Sequence, residues 1–195
     1  SRGLVKSVHG VMVDITELKL KDEHIEYLAI HDPLTKLYNR EKLSVKLLRE
    51  LRNNKKGALI LLDIDDFKNI NDVLGHAYGD KVLRYIGKLI KNLCPRNAVP
   101  FRFGGDEFLI LVKEGRTRRI KEYAQGIKDG LKETITIDGI ENNITVTMGI
   151  VEYPIDGDSI DELLIKADIA MYNAKISGKN RFLFFDENMK DRFNR

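Results

Sequence analysis

Five carboxylates mark the places in this chain where chemistry can gather. Asp63, Asp65 and Asp66 close the apolar run ALILLDIDDF, and Asp106 and Glu107 follow a glycine pair in FRFGGDEFLILV. Magnesium prefers hard oxygen ligands and often takes only one or two carboxylates, leaving phosphate and water to fill its shell. Residues two apart on a strand share a face, so Asp63 and Asp65 are expected to project together. With Asp106 they form the candidate metal set. Gly104 and Gly105 lack a Cβ and reach positive φ, which makes a tight hairpin turn and lets another group approach the backbone. A lone acidic residue at a strand end is ordinarily just solvated. Here an acidic strand end, a helix start directly after it and a glycine turn bearing two carboxylates occur together, and that combination suits a metal and a phosphate.

Other residues extend the same site. A helix starting near Asp66-Phe67 offers backbone N–H groups to a phosphate, and Lys68 adds a point charge or is simply a surface lysine. Asn71 and Asp80 suit a guanine. A carboxylate accepts both N1–H and the 2-amino group, an amide meets O6 or N3, and adenine lacks that donor pair. Asp80 equally fits a helix N-cap. Lys175 and Lys179 flank the end of the last long helix, where cations are favoured by the dipole and where they can also clamp a triphosphate. His76 falls in a bend and is given no catalytic role. Cys94 and the remaining histidines have no spacing that makes a nucleophile or a zinc site.

The elements that must position these groups follow from periodicity and punctuation. GVMVDIT suggests a strand within residues 1–15, with Asp14 or Thr16 capping a charged helix from Glu17 to Ile30. Leu18, Ile25 and Leu28 lie at roughly heptad spacing on that helix. Asp32-Pro33 ends it, and Asn39 caps a helix through Leu51. Ala58 to Leu62 reads as a central strand. Asp66 starts a helix carrying Phe67, Ile70, Val73 and Leu74, the Gly75 to Gly79 run interrupts it, and Asp80 starts another that ends at Pro95. After the glycine hairpin, a helix spans Thr117 to Lys132. Two strands follow, joined at Asp138-Gly139 or Asn142-Asn143. The last helix, from Ser159 to Ser177, has a Ser159–Glu162 capping box and stops at Gly178. A short strand, Phe182 to Phe185, closes the pattern. This alternation predicts an α+β fold with helices packed on a mixed, mainly antiparallel central sheet.

Composition sets the outer limits. The chain has 195 residues, is 43% apolar and 32% charged, and suits a soluble globular domain. A net charge of +3 makes no compositional case for nucleic acid. The single Cys94 excludes an internal disulfide. No signal peptide is evident, and no apolar run approaches the ~18 residues that a spanning helix needs. Both ends read as cut points in a longer protein.

Taken together, DPLTKLYNR, LLDIDDFKNINDVLGHAYGD, FRFGGDEF, TVTMG and ADIAMYNAKISGKN resemble the motifs of GGDEF domains, the diguanylate cyclase family, from about Ile30 to Phe185. The resemblance implies a fold like the palms of nucleotidyl cyclases and polymerases, GTP as substrate, and two Mg²⁺ ions, with Mn²⁺ as a substitute. It implies Asp63, the Ile64 carbonyl and Asp106 as metal ligands, and Asp106 and Glu107 as the catalytic signature. Asn71 and Asp80 then read guanine, while Phe67 (by its backbone), Lys68, Gly104, Gly105, Lys175 and Lys179 hold the rest of the substrate. The implied reaction condenses two GTP into cyclic di-GMP and two pyrophosphates in a homodimeric site. Alternatives are a GTP-binding regulatory module controlling an adjacent EAL phosphodiesterase domain, and a one-subunit cyclase making cyclic GMP.

Several positions depart from the family pattern. Lys36 stands where Gly is usual, Thr147 where Ser is usual, and Lys179 replaces a common Arg, losing the planar fork. The RxxD product-inhibition motif is missing, because its place reads Pro95-Arg96-Asn97-Ala98. The flanks resemble the end of a PAS-type sensory domain with a signalling helix (1–31) and the start of a linker toward an EAL domain (187–195), around a GGDEF domain at 32–186. The expected setting is cytoplasmic, in a parent that can itself be membrane-attached, with no nucleic-acid partner and no membrane contact in this fragment.

Overall fold

The computed structural model describes residues 14–53, 55–113, 116–131 and 135–190. The strand expected within residues 1–15 lies almost wholly outside them. The fold is built around strand β1 (Gly57–Ile64), whose residues are all buried. It pairs antiparallel with β3 (Glu107–Lys113) on one side and with β6 (Val146–Tyr153) on the other. Strand β2 (Ala98–Gly104) extends the sheet beyond β3, and β7 (Phe182–Phe184) runs parallel to β6 at the opposite edge, giving the order β2-β3-β1-β6-β7. The result is the α+β fold with a mixed, mainly antiparallel sheet that the pattern predicts.

Both faces of the sheet are covered, which is why β1 is apolar along its length rather than alternating. Ile60, Leu62 and Ile64 pack with Val82 and Ile86 of α4 (His76–Leu93) and with Ile120 and Ala124 of α5 (Thr117–Asp129). Leu59 and Leu61 point the other way, against Leu43 and Leu47 of α2 (Arg40–Arg52) and Leu163 and Ala167 of α6 (Ile160–Ile176). The expected caps are present. The Asn39 side chain accepts from the Lys42 N–H, and Ser159 Oγ accepts from the Glu162 N–H. Helix α1 (Thr16–Ile30) ends where Asp32-Pro33 predicts.

Three expectations change. The break after α3 (Phe67–Leu74) is Gly75 alone, so α4 begins at His76 and Asp80 lies inside the helix rather than capping it. Asp66 precedes α3 in the left-handed region at φ 56 and makes no capping bond. The segment after α5 holds three strands, not two. Strands β4 (Ile135–Ile137) and β5 (Ile140–Asn142) form a separate small hairpin turning at Asp138-Gly139, the first of the two expected joins, and β6 follows.

The approach of α6 to the sheet is set by one missing side chain. A Cβ on Gly149 of β6 would meet the Ala167 carbonyl oxygen at 2.1 Å and the Met171 nitrogen at 2.5 Å. Both are backbone atoms of a helix that cannot flex locally, so Gly149→Ala must lift α6 from the sheet. Overpacking of this kind costs about 1–3 kcal/mol. Urea unfolding should show a loss in that range, and unchanged stability would contradict the contact.

Candidate active site

Strand β1 carries Asp63 to the end of the sheet, and the β1–β3 register sets Glu107 directly opposite it. Between β2 and β3 the chain bulges at Arg102 to Gly104 and turns through Gly105 at φ 52. A Cβ at Gly105 would meet nothing within 4 Å, so the turn is open on its outer side. Asp106 leaves that turn beside Glu107. Asp63 is only 8% exposed. Burial raises its pKa, an effect opposed by Lys175 and reinforced by the charges of Asp106 and Asp65. Burial likewise raises the pKa of Glu107, joined by Asp63, Asp106 and Asp168. The site thus holds more negative charge than its surroundings neutralise.

Two of the proposed phosphate lysines are brought to this place, each on a carboxylate. Lys175 Nζ lies 2.9 Å from Asp63 Oδ1, and Lys179 Nζ donates to Asp66 Oδ1 at 2.7 Å. Asn71 is brought against the start of α4, because α3 packs on α4 with the Asn71 amide against Gly79, the residue before Asp80. Phe67 is buried at the start of α3, Lys68 is exposed beside it, and His76 is exposed at the start of α4.

Asp65 does not join the candidate metal set. Strand β1 stops at Ile64, so strand alternation no longer orients Asp65. Its carboxylate is taken up by Thr145 Oγ1 and Thr147 Oγ1, each donating at 2.6 Å, and by the Asn180 N–H at 3.1 Å. Thr147 supplies the same hydroxyl that a serine would. Lys36 sits at φ 61, a conformation that glycine adopts without steric cost, which accounts for the glycine usual there.

The sequence reading missed Arg102 and Asp168. Arg102 Nη1 pairs with Asp32 Oδ2 at 3.1 Å while Nη2 donates to the Gly105 carbonyl at 2.8 Å. The DPLT segment is thereby tied to the glycine turn. A charged residue inside the apolar stretch of β2 was the available signal. Asp168 adds negative charge near Glu107 and lies seven residues before Lys175, on the same side of α6.

Among the described residues, no group of three or more His, Cys, Asp or Glu side chains is placed to cage a metal by itself. The donors that do converge are hard carboxylate oxygens with surplus negative charge. Such a set fits an ion that takes few protein ligands and completes its shell with substrate phosphates. Among those residues, too, no helix is long and apolar enough to cross a membrane.

Asp63 and Asp65 separate in a stability test. The folded-state pKa of Asp63 is raised, so its ionised form disfavours the fold at neutral pH, and Asp63→Asn should leave the melting temperature unchanged or higher. Asp65→Ala removes the shared acceptor of three hydrogen bonds, one of them from the buried Thr147 hydroxyl, whose stranding costs about 1–3 kcal/mol, and should lower it. Equal behaviour of the two variants in thermal melts would contradict this division.

Comparison with known proteins agrees with this geometry. Residues 29–181 match the family described as "Diguanylate cyclase, GGDEF domain". The diguanylate cyclase VdcA of Vibrio cholerae is 30% identical over 184 residues, covering 92% of this chain and 54% of that protein. The bifunctional diguanylate cyclase/cyclic di-GMP phosphodiesterase MucR of Pseudomonas aeruginosa is 33% identical over 178 residues, covering 89% of this chain and 26% of its own length. The chain therefore spans about half or less of these curated relatives. Among solved structures, the isolated GGDEF domain of TpbB (YfiN) from Pseudomonas aeruginosa superposes with a TM-score of 0.80 at 33% identity, over 85% of this chain and 99% of that one. The chain belongs to the diguanylate cyclase, GGDEF-domain family.

Proposed function

We propose that this chain is a catalytic diguanylate cyclase domain that condenses two GTP molecules into cyclic di-GMP with release of two pyrophosphates. The observation that carries this reading is the facing pair Asp63 and Glu107, with Asp106 beside it at an open glycine turn and a single lysine, Lys175, on Asp63. Asp63, the Ile64 carbonyl and Asp106 would hold two Mg²⁺ ions, or Mn²⁺, whose chemistry there is to acidify the attacking 3′-hydroxyl and offset charge on the leaving pyrophosphate. Lys175 and Lys179 would exchange their carboxylate partners for the triphosphate. Lys68, the Phe67 backbone and the glycine turn bound the same space. Asn71 and Asp80 would select guanine.

Each subunit would hold one GTP, and two subunits would meet about a two-fold axis so that each 3′-hydroxyl reaches the other nucleotide's α-phosphate. Helix α1 supports this pairing. Its residues Ile25 and Leu28, three apart, are 64% and 40% exposed, leaving an apolar edge for a second copy. The same reading makes residues 1–31 the end of a PAS-like sensor with its signalling helix, and residues 187–195 the start of a linker, in a cytoplasmic setting. A regulatory, GTP-binding role beside an EAL domain is the second reading, favoured by the bifunctional relative MucR.

Asp106→Asn should reduce pyrophosphate release from GTP by at least about 100-fold, the scale on which a lost electrostatic contact in a reacting site is felt. The fold should survive, because the side chain leaves an open turn. A folded variant with near-normal turnover would contradict the assignment.

Association should limit the rate. Fusing a strong parallel coiled coil in register ahead of Asp22 should raise the initial rate per subunit by making the encounter intramolecular. Rates per subunit independent of both protein concentration and fusion, in a chain that sedimentation shows to be monomeric, would contradict the two-fold mechanism.

A further inference from the structure

The small β4–β5 hairpin stands outside the main sheet, and two strands of three residues each do not hold themselves together in water. It is anchored to the first turns of α4. Tyr78 is 7% exposed, and its hydroxyl donates to the Ile137 carbonyl at 3.2 Å while accepting from Asn142 Nδ2 at 2.5 Å. Both hydrogen-bonding roles of that hydroxyl are filled. One turn further on, Lys81 Nζ pairs with Asp138 at the tip of the hairpin.

At 3.6 residues per turn, Tyr78 and Lys81 share one face of α4, and Gly79, about 100° round the helix from Tyr78, lies on another. That second face meets α3. A Cβ on Gly79 would stand 2.0 Å from Asn71 Oδ1, so the Asn71 amide rests in the space that glycine leaves. The start of α4 has no side-chain cap to fix it. Tyr78, Val82 and Leu83 seat α4 in the main core, and the hairpin bonds and the Gly79–Asn71 contact are two further restraints on its first turns, next to Asp80.

We propose that Tyr78, braced by the β4–β5 hairpin, is a positioning residue that sets the guanine selectivity of Asn71 and Asp80. This rests on the reading of that pair as the base-contacting residues. Without the Tyr78 hydroxyl, the first turns of α4 lose one of these restraints, and the spacing between the Asn71 amide and Asp80 is held less tightly. Selectivity depends on that distance, because the 2-amino group of guanine must meet the carboxylate while another edge of the base meets the amide. Hypoxanthine lacks only that 2-amino group, so the ratio of GTP to ITP affinity reports the alignment directly.

The test is equilibrium binding of 3′-deoxy-GTP and 3′-deoxy-ITP, which lack the attacking hydroxyl, to the parent chain, Tyr78→Phe and Asn142→Ala with Mg²⁺ present. Melting temperatures are recorded alongside. The parent should favour the guanine nucleotide by about tenfold or more. Tyr78→Phe should cut that ratio at least about fivefold through weaker guanine binding, with little change for hypoxanthine. Asn142→Ala, which removes the donor to the Tyr78 hydroxyl without touching α4, should move the ratio the same way by less, and it decides the matter if Tyr78→Phe does not fold. A hydroxyl that served only stability would lower the melting temperature and leave the ratio intact, and that result overturns the proposal. A parent that does not distinguish the two nucleotides overturns the base-site reading and this inference with it. Because binding is read without turnover, a chain that binds GTP but makes no product still answers the question.

Discussion

Two carboxylates face each other across neighbouring strands at the end of this sheet. Like charges directly opposite in an antiparallel pair repel, and burial of Asp63 and Glu107 disfavours their charged forms further. The arrangement persists because the apolar sheet beneath it is over-determined. Strand β1 has an antiparallel partner on each side and a helical layer on each face, so its last residues cannot splay apart to relieve the repulsion. The sheet holds a concentration of negative charge in place, and a cation with a phosphate is the natural complement to it.

The surrounding contacts bring distant segments to that point. Lys175 comes from α6, whose distance from the sheet depends on the bare backbone of Gly149. Asp65 fastens the end of β1 to Thr145 and Thr147 and to the loop after α6, which places Lys179 beside Asp66. Arg102 bridges from Asp32, just beyond the end of α1, to the Gly105 carbonyl in the turn. Helix α1 is thus only a few bonds from the turn bearing Asp106. None of these contacts performs chemistry, yet each fixes a group that would.

Much of this was legible in the sequence, because its signals are local. The apolar run of β1, the Asp138-Gly139 turn and the caps at Asn39 and Ser159 each depend on a few adjacent residues. The position of Asp65 was not legible. The strand ends one residue before it, and alternation says nothing beyond that end. The start of α4 was hidden for a related reason. The GHAYG run looks like a break, but Gly79 is accommodated within the helix by its contact with Asn71, which only the fold supplies. Arg102 was missed because its ionic partner, Asp32, lies 70 residues away. Spacing alone put Asp65 among the metal candidates, whereas in the fold its carboxylate accepts from Thr145, Thr147 and Asn180.

The central claim is that these carboxylates serve a reaction between two GTP-loaded subunits. Chromatography of the products formed from GTP and Mg²⁺, over a range of protein concentrations, tests it most directly. The account predicts cyclic di-GMP with two pyrophosphates for each product molecule, and a rate per subunit that rises with protein concentration toward a plateau. Cyclic GMP as the product, or bound GTP that stays intact at every concentration, would contradict it.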